Sequence, residues 1–541
     1  MKITGGEAVV KVLQNEGVKK VFGVPGESYL DVLDAFYEKT DIEYVTARQE
    51  GGAAFMAEGY AKATLGTGVC MATRGPGATN LSIGIHTAYQ DSTPLVAIIG
   101  QIERSFKNKE AFQEVDLPAL FKPIAKWSVE IENADRIPEL LHRAFHLARS
   151  GRPGPVVVAL PEDALSDTVV YTNKAVPKVE ASFPNAKAVQ KVAERIENAR
   201  KPIIIAGGGV IWAEGQDDLV TLAEKINIPV ASAFRRFTSF PNSHPNYIGA
   251  LGLGAPSYLL DYIKESDVVI ALGTRLSQVT TANYTLLAEN AELIHIDADA
   301  DTFGKSYSPD LAIQADAKKF IKALEEAVEQ NHDTFLENNR QFLKDLFHSF
   351  SRLEQKYSNE NVDMEGMMYD VVQFFPKDAI VTNDAGNFFS WLSRYYTFNG
   401  HDVYAGPTSG AMGYGLPAAI GVKLAKPQRT VISFSGDGGF MMTMQEFQTA
   451  VRNQASVLAI VINNSLYGTI RSHQEKKFPG RAVATELSDV HFANIAENMG
   501  GYGERVETNK AFLPAVQRAL DSEKPALIEV ITNPGILSAN Q

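Results

Sequence analysis

Short apolar runs rich in β-branched residues alternate with longer amphipathic stretches along the whole chain. Examples of the apolar runs are residues 94–100 (PLVAIIG), 202–208 (PIIIAGG) and 457–464 (VLAIVINN). Continuous apolar runs of this length are typical of strands buried on both faces of a parallel sheet, and the stretches between them suit the helices that cover those faces. The pattern therefore predicts an α/β protein built from doubly wound parallel sheets.

Length and local composition predict the number of these domains. At about 150 residues per domain, a chain of 541 residues is expected to form about three. Two stretches interrupt the alternation and are predicted to be linkers: residues 168–188, rich in Pro, Lys and Ala, and the charged helical stretch 318–360. The predicted domains are residues 1–165, 189–325 and 361–541.

Charge and cysteine content exclude several classes of function. The 51 Lys and Arg residues against 64 Asp and Glu residues give a net charge of −13, which disfavours nucleic acid and anionic membranes as partners. The single cysteine, Cys70, cannot form an intrachain disulfide, and no Cys/His cluster has zinc-type spacing. The first 20 residues lack the apolar core of a signal peptide. We expect a cytoplasmic protein without a membrane segment.

Two strand ends carry the strongest chemical signal. SFSGDGGF (433–440) and VLAIVINN (457–464) each end a predicted buried strand in small polar residues, and the carboxyl ends of parallel strands are where open α/β sheets bind ligands. Asp437 and Asn464 offer the oxygen ligands that Mg²⁺ prefers. Gly436, Gly438 and Gly439 permit close approach of the backbone, and a helix that begins there offers N–H groups to an anion. We therefore predict a magnesium–diphosphate site.

These motifs resemble the signature of thiamine diphosphate-dependent enzymes. The segment RQEGGAAFMAEGYA (48–61) is similar to the one that carries the family's activating glutamate, and TRGPGATNL, RPGPVVV and SGAMGYGLPAAIG follow in the family's order. The resemblance covers nearly the whole chain and is greatest to the acetolactate (acetohydroxyacid) synthases. It implies a pyrimidine-binding, a central and a diphosphate-binding domain, with thiamine diphosphate and Mg²⁺ as cofactors. It also implies a homodimer or homotetramer whose active sites lie at the subunit interface.

The resemblance also implies roles for individual residues. Glu50 would hydrogen-bond the aminopyrimidine ring and move a proton there, which the chemistry requires because the thiazolium carbon must lose a proton at neutral pH. Met412 would wedge beneath the cofactor, and the Leu466 carbonyl would be the third protein ligand to the metal. The remaining implied cofactor contacts are Gly386, Asn387, the Gly410 carbonyl, Tyr467 and Gly468.

The substrate contacts depart from the family pattern. Phe112, Gln113 and the turn 26–28 match the active-site loops of the first domain. In the synthases a tryptophan in the segment after Asn-Asn selects the second 2-oxo acid, whereas here SLYGTIRSHQ (465–474) has His473 at the matching place. Arg471 and His473 could contact a carboxylate or carry a proton. Glu162 occupies a region where the synthases have a lysine.

Three functions therefore stay open at this point. The preferred one is decarboxylation of a 2-oxo acid such as pyruvate, followed by joining to a second carbonyl compound. The first alternative is a benzaldehyde-lyase or 2-hydroxyacyl-lyase type of carboligase that acts on aldehydes. The second is a non-catalytic regulatory homologue, which the intact Glu50, Asp437 and Asn464 disfavour.

Two further expectations concern FAD and the subunit boundary. AGGGV (206–210), GTRLS (273–277) and HIDAD (295–299) correspond to segments that line the flavin in FAD-binding relatives, so FAD is possible, with a cofactor-free middle domain as the alternative. The small residues of GGAAFMAEGYA and GAMGYGLPAAIG suit closely packed helices, which we expect at a large interface between subunits.

Overall fold

A computed structural model describes residues 1–37, 41–172, 176 and 179–539. Within these residues the chain forms three six-stranded sheets and one two-stranded ribbon. Helices connect the strands of each sheet, so the predicted α/β class with three parallel-sheet domains is confirmed.

The N-terminal sheet has the strand order β3-β2-β4-β5-β7-β6, and each of its pairings is parallel. Strands β1 and β8 form the separate antiparallel ribbon. The strands are β1 (Lys2–Thr4), β2 (Lys20–Gly23), β3 (Glu43–Thr46), β4 (Gly68–Thr73), β5 (Leu95–Gln101), β6 (Trp127–Glu130), β7 (Pro155–Pro161) and β8 (Thr168–Val170). The helices are α1 (Gly5–Asn15), α2 (Leu30–Tyr37), α3 (Glu50–Thr64), α4 (Arg74–Asp91), α5 (Leu117–Phe121), α6 (Ile137–Arg149) and α7 (Glu162–Ser166).

The middle sheet is parallel, with the strand order β11-β10-β9-β12-β13-β14. Its strands are β9 (Pro202–Ala206), β10 (Val230–Ser232), β11 (Tyr247–Ala250), β12 (Val268–Leu272), β13 (Glu292–Asp297) and β14 (Leu311–Gln314). The helices in this part of the chain are α8 (Ala186–Asn198), α9 (Gly208–Trp212), α10 (Gln216–Ile226), α11 (Ser257–Lys264), α12 (Ala317–Ala327) and α13 (Thr334–Phe350).

The C-terminal sheet has the strand order β16-β15-β17-β18-β20-β19. Its strands are β15 (Ile380–Asn383), β16 (Tyr404–Ala405), β17 (Val431–Gly436), β18 (Leu458–Asn463), β19 (Tyr502–Val506) and β20 (Ala526–Ile531). The helices are α14 (Met364–Phe374), α15 (Phe389–Tyr395), α16 (Gly415–Ala425), α17 (Asp437–Thr443), α18 (Glu446–Arg452), α19 (Gly468–Lys477), α20 (Phe492–Asn498) and α21 (Asn509–Asp521).

Contacts group the chain into two compact units. The first comprises Met1–Val179, Ile380–Gly386 and Ala405–Pro534, so it contains both the N-terminal and the C-terminal sheet. The second comprises Glu180–Ala379, Asn387–Tyr404 and Gly535–Gln541 and contains the middle sheet.

Inside the first unit, α3 and α16 pack directly on each other. A Cβ atom at Gly421 would lie 2.0 Å from the carbonyl oxygen of Met56, so only glycine permits this approach. The small residues of these two helices are therefore buried within one chain. They serve close helix packing inside the chain, and their place at a boundary between subunits stays a prediction.

The two stretches predicted as linkers have different outcomes. Residues 318–360 include most of α12 and all of α13, and the α12 side chains Phe320, Ile321 and Leu324 are buried in the core of the middle sheet. This stretch is a packed part of the second unit, because α12 has an apolar face that a free linker would not need. In the stretch 168–188, β8 pairs with β1, and residues 173–175 and 177–178 lie outside the described residues.

Candidate active site

Asp437 lies at the point where β17 ends and α17 begins. Its side chain is buried, with 5% exposed, and Oδ1 accepts a hydrogen bond from the Gly438 N–H at 2.8 Å. Oδ2 is buried and has no hydrogen-bond partner among the described residues. Burial raises the pKa of Asp437 to about 6, although the backbone N–H groups of Gly438 and of the loop 464–466 act in the opposite direction. A cation would supply the partner that Oδ2 lacks.

The loop after β18 brings two further oxygen atoms to the same sheet edge. Oδ1 of Asn464 accepts from the Leu466 N–H at 3.2 Å. The peptide groups on either side of Leu466 bond to the segment 485–487: Tyr467 N–H donates to Thr485 and Leu487 N–H donates to Ser465. Because the Leu466 carbonyl is trans to the Tyr467 N–H, it points away from that segment. Asn464 and the Leu466 carbonyl are thus available to a shared ligand.

Glycines make room around the first turn of α17. A Cβ atom at position 438 would lie 2.5 Å from the Tyr467 ring, and one at position 439 would lie 2.6 Å from Oδ2 of Asp384. The helix start is therefore held between Tyr467 and Asp384, which explains the glycines at positions 438 and 439.

The segment 410–413, which contains Gly410 and Met412, is tied to this edge. Thr443 Oγ1 at the end of α17 donates to the Gly413 carbonyl at 2.7 Å, and the Ala385 N–H donates to the Ala411 carbonyl at 3.4 Å. Gly410 is exposed and has a positive φ of 70°, whereas Met412 is half-buried. The C-terminal sheet therefore gathers most of the predicted cofactor contacts on one edge.

These residues fit a magnesium ion that carries a diphosphate. Mg²⁺ is usually held by one or two carboxylates together with other oxygen atoms from substrate phosphates and water. Within the described part of the chain no group of three or more His, Cys, Asp or Glu side chains could hold a metal. A site with one carboxylate, one amide oxygen and one carbonyl oxygen matches a metal that needs the diphosphate to complete its ligands.

Glu50 opens α3 at the edge of the N-terminal sheet. Its side chain is half-buried, and Oε2 accepts a hydrogen bond from Nδ2 of Asn80 at 2.9 Å. Asn80 belongs to α4, the neighbouring helix. The residue before Glu50, Gln49, caps α3 by accepting from the Gly52 N–H through its side chain. The carboxyl of Glu50 is therefore held at the carboxyl ends of the strands.

Two loops predicted to contact the substrate lie beside the start of α4. Ser28 Oγ and Thr73 Oγ1 are 2.7 Å apart and share a hydrogen bond. The Gln113 carbonyl accepts from the Gly75 N–H at 3.0 Å, and Gln113 has a positive φ of 65°. Phe112 is exposed. The turn 26–28 and Gln113 thus border one end of α4.

An ion pair lies at the same place. Nη2 of Arg74, the first residue of α4, is 2.7 Å from Oε2 of Glu162, and Nη1 is 3.9 Å from Oε2 of Glu27. Glu162 occupies the region where the resemblance places a lysine in the synthases. It forms an ion pair with Arg74 beside these loops.

Within one chain the segment that contains Gly410 and Met412 lies far from Glu50. The segment 406–414 is fastened to the far end of α3, where Lys62 Nζ donates to the Gly406 carbonyl at 3.0 Å and the Tyr414 hydroxyl donates to Glu58. At about 1.5 Å of rise per residue, Glu58 and Lys62 lie about 12 and 18 Å from Glu50 along the helix axis.

Contacts along α4 also place the segment 406–414 far from Glu50. Thr87 Oγ1 and Ser409 Oγ are 3.0 Å apart, and the Thr408 N–H donates to Asp91 at 2.7 Å, whereas the Glu50 partner Asn80 lies at least seven residues earlier on this helix. Glu50 and the Gly410–Met412 segment are therefore at different ends of the α3/α4 pair.

The other predicted residues lie at or beyond the edges of this region. Gly386, with a φ of 155°, follows β15, and Asn387 begins the next segment of the chain. His473 is exposed on α19, which starts at Gly468 and has no buried residue. Arg471 is half-buried, and its Nη1 donates to Thr485 at 3.3 Å.

Sequence reasoning missed three residues of this region. Asn80 binds Glu50. Asp384 is completely buried, and its Oδ1 accepts from the Gly415 N–H at 2.7 Å. Glu446 is completely buried and bonds to the backbone before α3. The polar cluster TNDAGN at the end of β15 was a signal for Asp384, whereas no local pattern marked the other two.

The glycines of the middle sheet have a structural explanation. A Cβ atom at Gly207 would lie 2.3 Å from the Gly273 carbonyl oxygen, so the segments 206–210 and 273–277 pack against each other. His295 is buried and its Nε2 lies 2.8 Å from the Thr274 carbonyl. The second unit contains a cavity of about 100 Å³ lined by aromatic residues such as Phe237, Tyr247 and Phe389. That volume is below the roughly 300–1,000 Å³ of common ligand pockets.

Comparison with known families decides the classification. The models for the N-terminal TPP binding domain, the central domain and the C-terminal TPP binding domain of thiamine pyrophosphate enzymes match residues 3–120, 189–324 and 384–530. These matches follow the order of the three sheets and cover more than half of the chain. The chain belongs to the thiamine pyrophosphate enzyme family. It is therefore an enzyme dependent on thiamine diphosphate, the other name of that cofactor.

Curated relatives align over nearly the full chain. The acetolactate synthase large subunit of Buchnera aphidicola (from Schizaphis graminum) is 35% identical over 94% of this chain and 90% of its own length. The probable acetolactate synthase large subunit of Methanocaldococcus jannaschii is 33% identical, covering 98% and 92%. The acetolactate synthase isozyme 3 large subunit of Escherichia coli is 33% identical, covering 93% and 90%. The resemblance inferred from the motifs is confirmed.

In the part of the chain that the structure describes, no helix is both long and apolar enough to cross a bilayer.

Proposed function

We propose that this enzyme decarboxylates a 2-oxo acid, with pyruvate the first candidate, and joins the remaining carbons to a second carbonyl compound. The observation that carries the proposal is the buried Oδ2 of Asp437, which has no hydrogen-bond partner among the described residues and lies beside Asn464 and the Leu466 carbonyl. The names of relatives that align over nearly the whole chain support the choice of reaction.

In this proposal the C-terminal sheet holds the cofactor through Mg²⁺. Asp437, Asn464 and the Leu466 carbonyl bind the metal, and the N–H groups at the start of α17 face the diphosphate. Met412 and the Gly410 carbonyl position the two rings, with Gly386, Asn387, Tyr467 and Gly468 completing the contacts. Burial of Asp437 strengthens its attraction for the cation, because few waters compete with the ion.

In this proposal Glu50 transfers a proton at the pyrimidine ring of the cofactor. Its half-buried carboxyl, fixed by Asn80 at 2.9 Å, would hold a proton at the pyrimidine ring and move it there as a general acid–base. The bound cofactor supplies the carbon that accepts the electron pair left by decarboxylation. The chain's own contribution is thus to hold the metal, fold the rings and move one proton at Glu50.

Other residues are proposed to contact the second carbonyl compound, the acceptor. Gln113 and the turn 26–28 border the N-terminal part of the pocket, and His473, exposed on α19, takes the place of the synthases' tryptophan. With Glu27 and Glu162 both close to Arg74, this border carries a net negative charge. We infer a more polar acceptor pocket than in the synthases, which keeps aldehyde acceptors as the second candidate.

The test of the reaction is a substrate panel. The protein loaded with Mg²⁺ and thiamine diphosphate is incubated with 2-oxo acids and aldehydes, alone and in pairs, while CO₂ release and products are followed by mass spectrometry. We expect CO₂ from pyruvate together with a product that combines two carbonyl compounds. Joining of aldehydes without CO₂ release supports the lyase-type alternative, and no turnover of any substrate supports a regulatory homologue.

We further propose that the active unit is at least a homodimer, either a dimer or a tetramer. Support comes from the distance along α3 between Glu50 and the residues that fasten the segment 406–414, Glu58 and Lys62. A complete site then needs Glu50 from one chain and Asp437 from another.

Complementation between inactive chains tests this shared site. Glu50→Gln and Asp437→Ala chains, each inactive alone, are mixed under conditions of subunit exchange. Part of the activity should return, because some mixed dimers contain one intact site. A mixture that stays inactive, although mass measurement finds mixed dimers, contradicts the shared site.

Two other assignments remain proposals. The domain bounds 1–165, 189–325 and 361–541 and a cytoplasmic location are retained. FAD is not assigned a role in the reaction, because the packing of Gly207 against Gly273 accounts for the glycines that suggested it.

A further inference from the structure

Glu446, the first residue of α18, places a carboxyl group against the backbone that leads into α3. Its side chain is completely buried. Oε1 accepts from the Gln49 N–H at 2.9 Å, and both oxygens lie 3.2 Å from the Arg48 N–H. Oε2 also accepts from the Thr449 hydroxyl at 2.7 Å. One carboxyl thus joins the C-terminal sheet to the two residues immediately before Glu50.

The glycine at position 52 makes room for this carboxyl. A Cβ atom at Gly52 would lie 2.7 Å from Oε1 of Glu446, so the glycine lets the acid reach the helix start. The Arg48 side chain also crosses to α18, since its Nε donates to Gln448 Oε1 at 2.7 Å. Two N–H groups and one side chain before Glu50 are therefore all anchored on α18.

The contact holds the backbone before Glu50 in place, because breaking it would leave buried polar groups without hydrogen-bond partners. Burial raises the pKa of Glu446 to about 7, whereas the bonds from Thr449, Arg48 and Gln49 act to lower it. A buried acid of this kind is tolerated only where hydrogen bonds satisfy it, and removing it leaves the two N–H groups without their acceptor. The backbone before Glu50 would then be free to shift.

We propose that Glu446 is a positioning residue for Glu50: through the Arg48 and Gln49 N–H groups it holds the start of α3 so that the Glu50 carboxyl stays aimed at the pyrimidine ring. This inference rests on the proposed function for the role of Glu50. It adds that Glu446 acts on the Glu50 of its own chain, although Asp437 lies only nine positions before it in the sequence. In the shared site those two residues then serve different cofactors.

Hydrogen exchange tests the anchor without any cofactor. In apo protein, Glu446→Ala should speed amide exchange in peptides covering residues 48–54, whereas exchange in β18 stays unchanged. Glu446→Gln should restore slow exchange, because its amide oxygen can still accept from the backbone. The matched control is Glu497→Ala, at an exposed position of α20. Unchanged exchange at 48–54 in the alanine variant overturns the proposal.

Kinetics separate positioning from cofactor binding. Because a misplacement of about 1 Å can cost about a hundredfold, Glu446→Ala should lower kcat by about ten- to a hundredfold, with KM and thiamine diphosphate affinity within about threefold of the parent. Glu446→Gln should recover most of kcat. A loss of cofactor affinity with unchanged kcat contradicts the positioning role, and so does a Gln variant as impaired as Ala. Should the Ala variant fail to fold, the Gln variant compared with Glu446→Asp, whose shorter side chain withdraws the acceptor, carries the same test.

Mixed dimers decide which site Glu446 serves. A Glu446→Ala chain paired with an Asp437→Ala chain should give a fully competent site, because the intact Glu446 and Glu50 then lie on the same chain. Paired with a Glu50→Gln chain, it should give only an impaired site. The reverse pattern overturns the proposal. Failure of the parent Glu50→Gln and Asp437→Ala pair would instead contradict the shared site, so the two failures are distinguishable.

Discussion

Replacing Glu50 by Gln should reduce turnover by about a hundredfold or more, the scale of losing a positioned proton-transfer group. The amide keeps the size of the side chain and an oxygen for Asn80 Nδ2, which lies 2.9 Å from Oε2, so the protein should fold normally. Thiamine diphosphate affinity should stay within about tenfold of the parent, because the diphosphate and metal contacts of the C-terminal sheet are untouched.

The measurement is the rate of hydrogen–deuterium exchange at the thiazolium carbon of the bound cofactor, followed together with turnover. A matched control is Glu43→Gln, since Glu43 is exposed on β3 of the same sheet. If the thiazolium carbon exchanges as fast in Glu50→Gln as in the parent, Glu50 does not move the proton.

Replacing Asp437 by Ala should abolish the dependence of cofactor binding on Mg²⁺. The variant loses the only carboxylate that we assign to the metal, and the diphosphate then has no bridging cation. The fold should survive, because burial raises the pKa of Asp437 to about 6 and its Oδ2 has no partner among the described residues. Removing a carboxylate that burial disfavours should leave the melting temperature of the apo protein unchanged or higher.

Calorimetric titration with thiamine diphosphate, with and without Mg²⁺, provides the measurement. Asp437→Asn, which keeps one oxygen ligand, should give an intermediate affinity. Asp521→Ala is the matched control, because Asp521 is exposed at the end of α21. Equal cofactor affinity in Asp437→Ala and the parent, both with Mg²⁺ present, would refute the metal assignment.

Several features of this protein could be read from local sequence. Apolar runs such as 202–208 and 457–464 predicted buried parallel strands, because a strand covered on both faces has no polar side to encode. The same rule brought Asp437 and Asn464 to one sheet edge, since both follow strands that turn out to be neighbours. The family assignment followed from motifs of this kind. The roles given to Glu50, Met412 and His473 stay predictions.

Other features were decided only by tertiary structure. The direct packing of α3 on α16 within one chain had no local signal. Helix α12, in a stretch predicted as a linker, packs in the core of the middle sheet. The anchoring of Glu50 by Asn80 and of its preceding backbone by Glu446, almost 400 positions away, had no local signal. Periodicity reports which face of an element is buried, because burial depends on the element's own residues. Which partner buries that face, and which buried acid meets which N–H group, depends on how distant parts of the chain pack together.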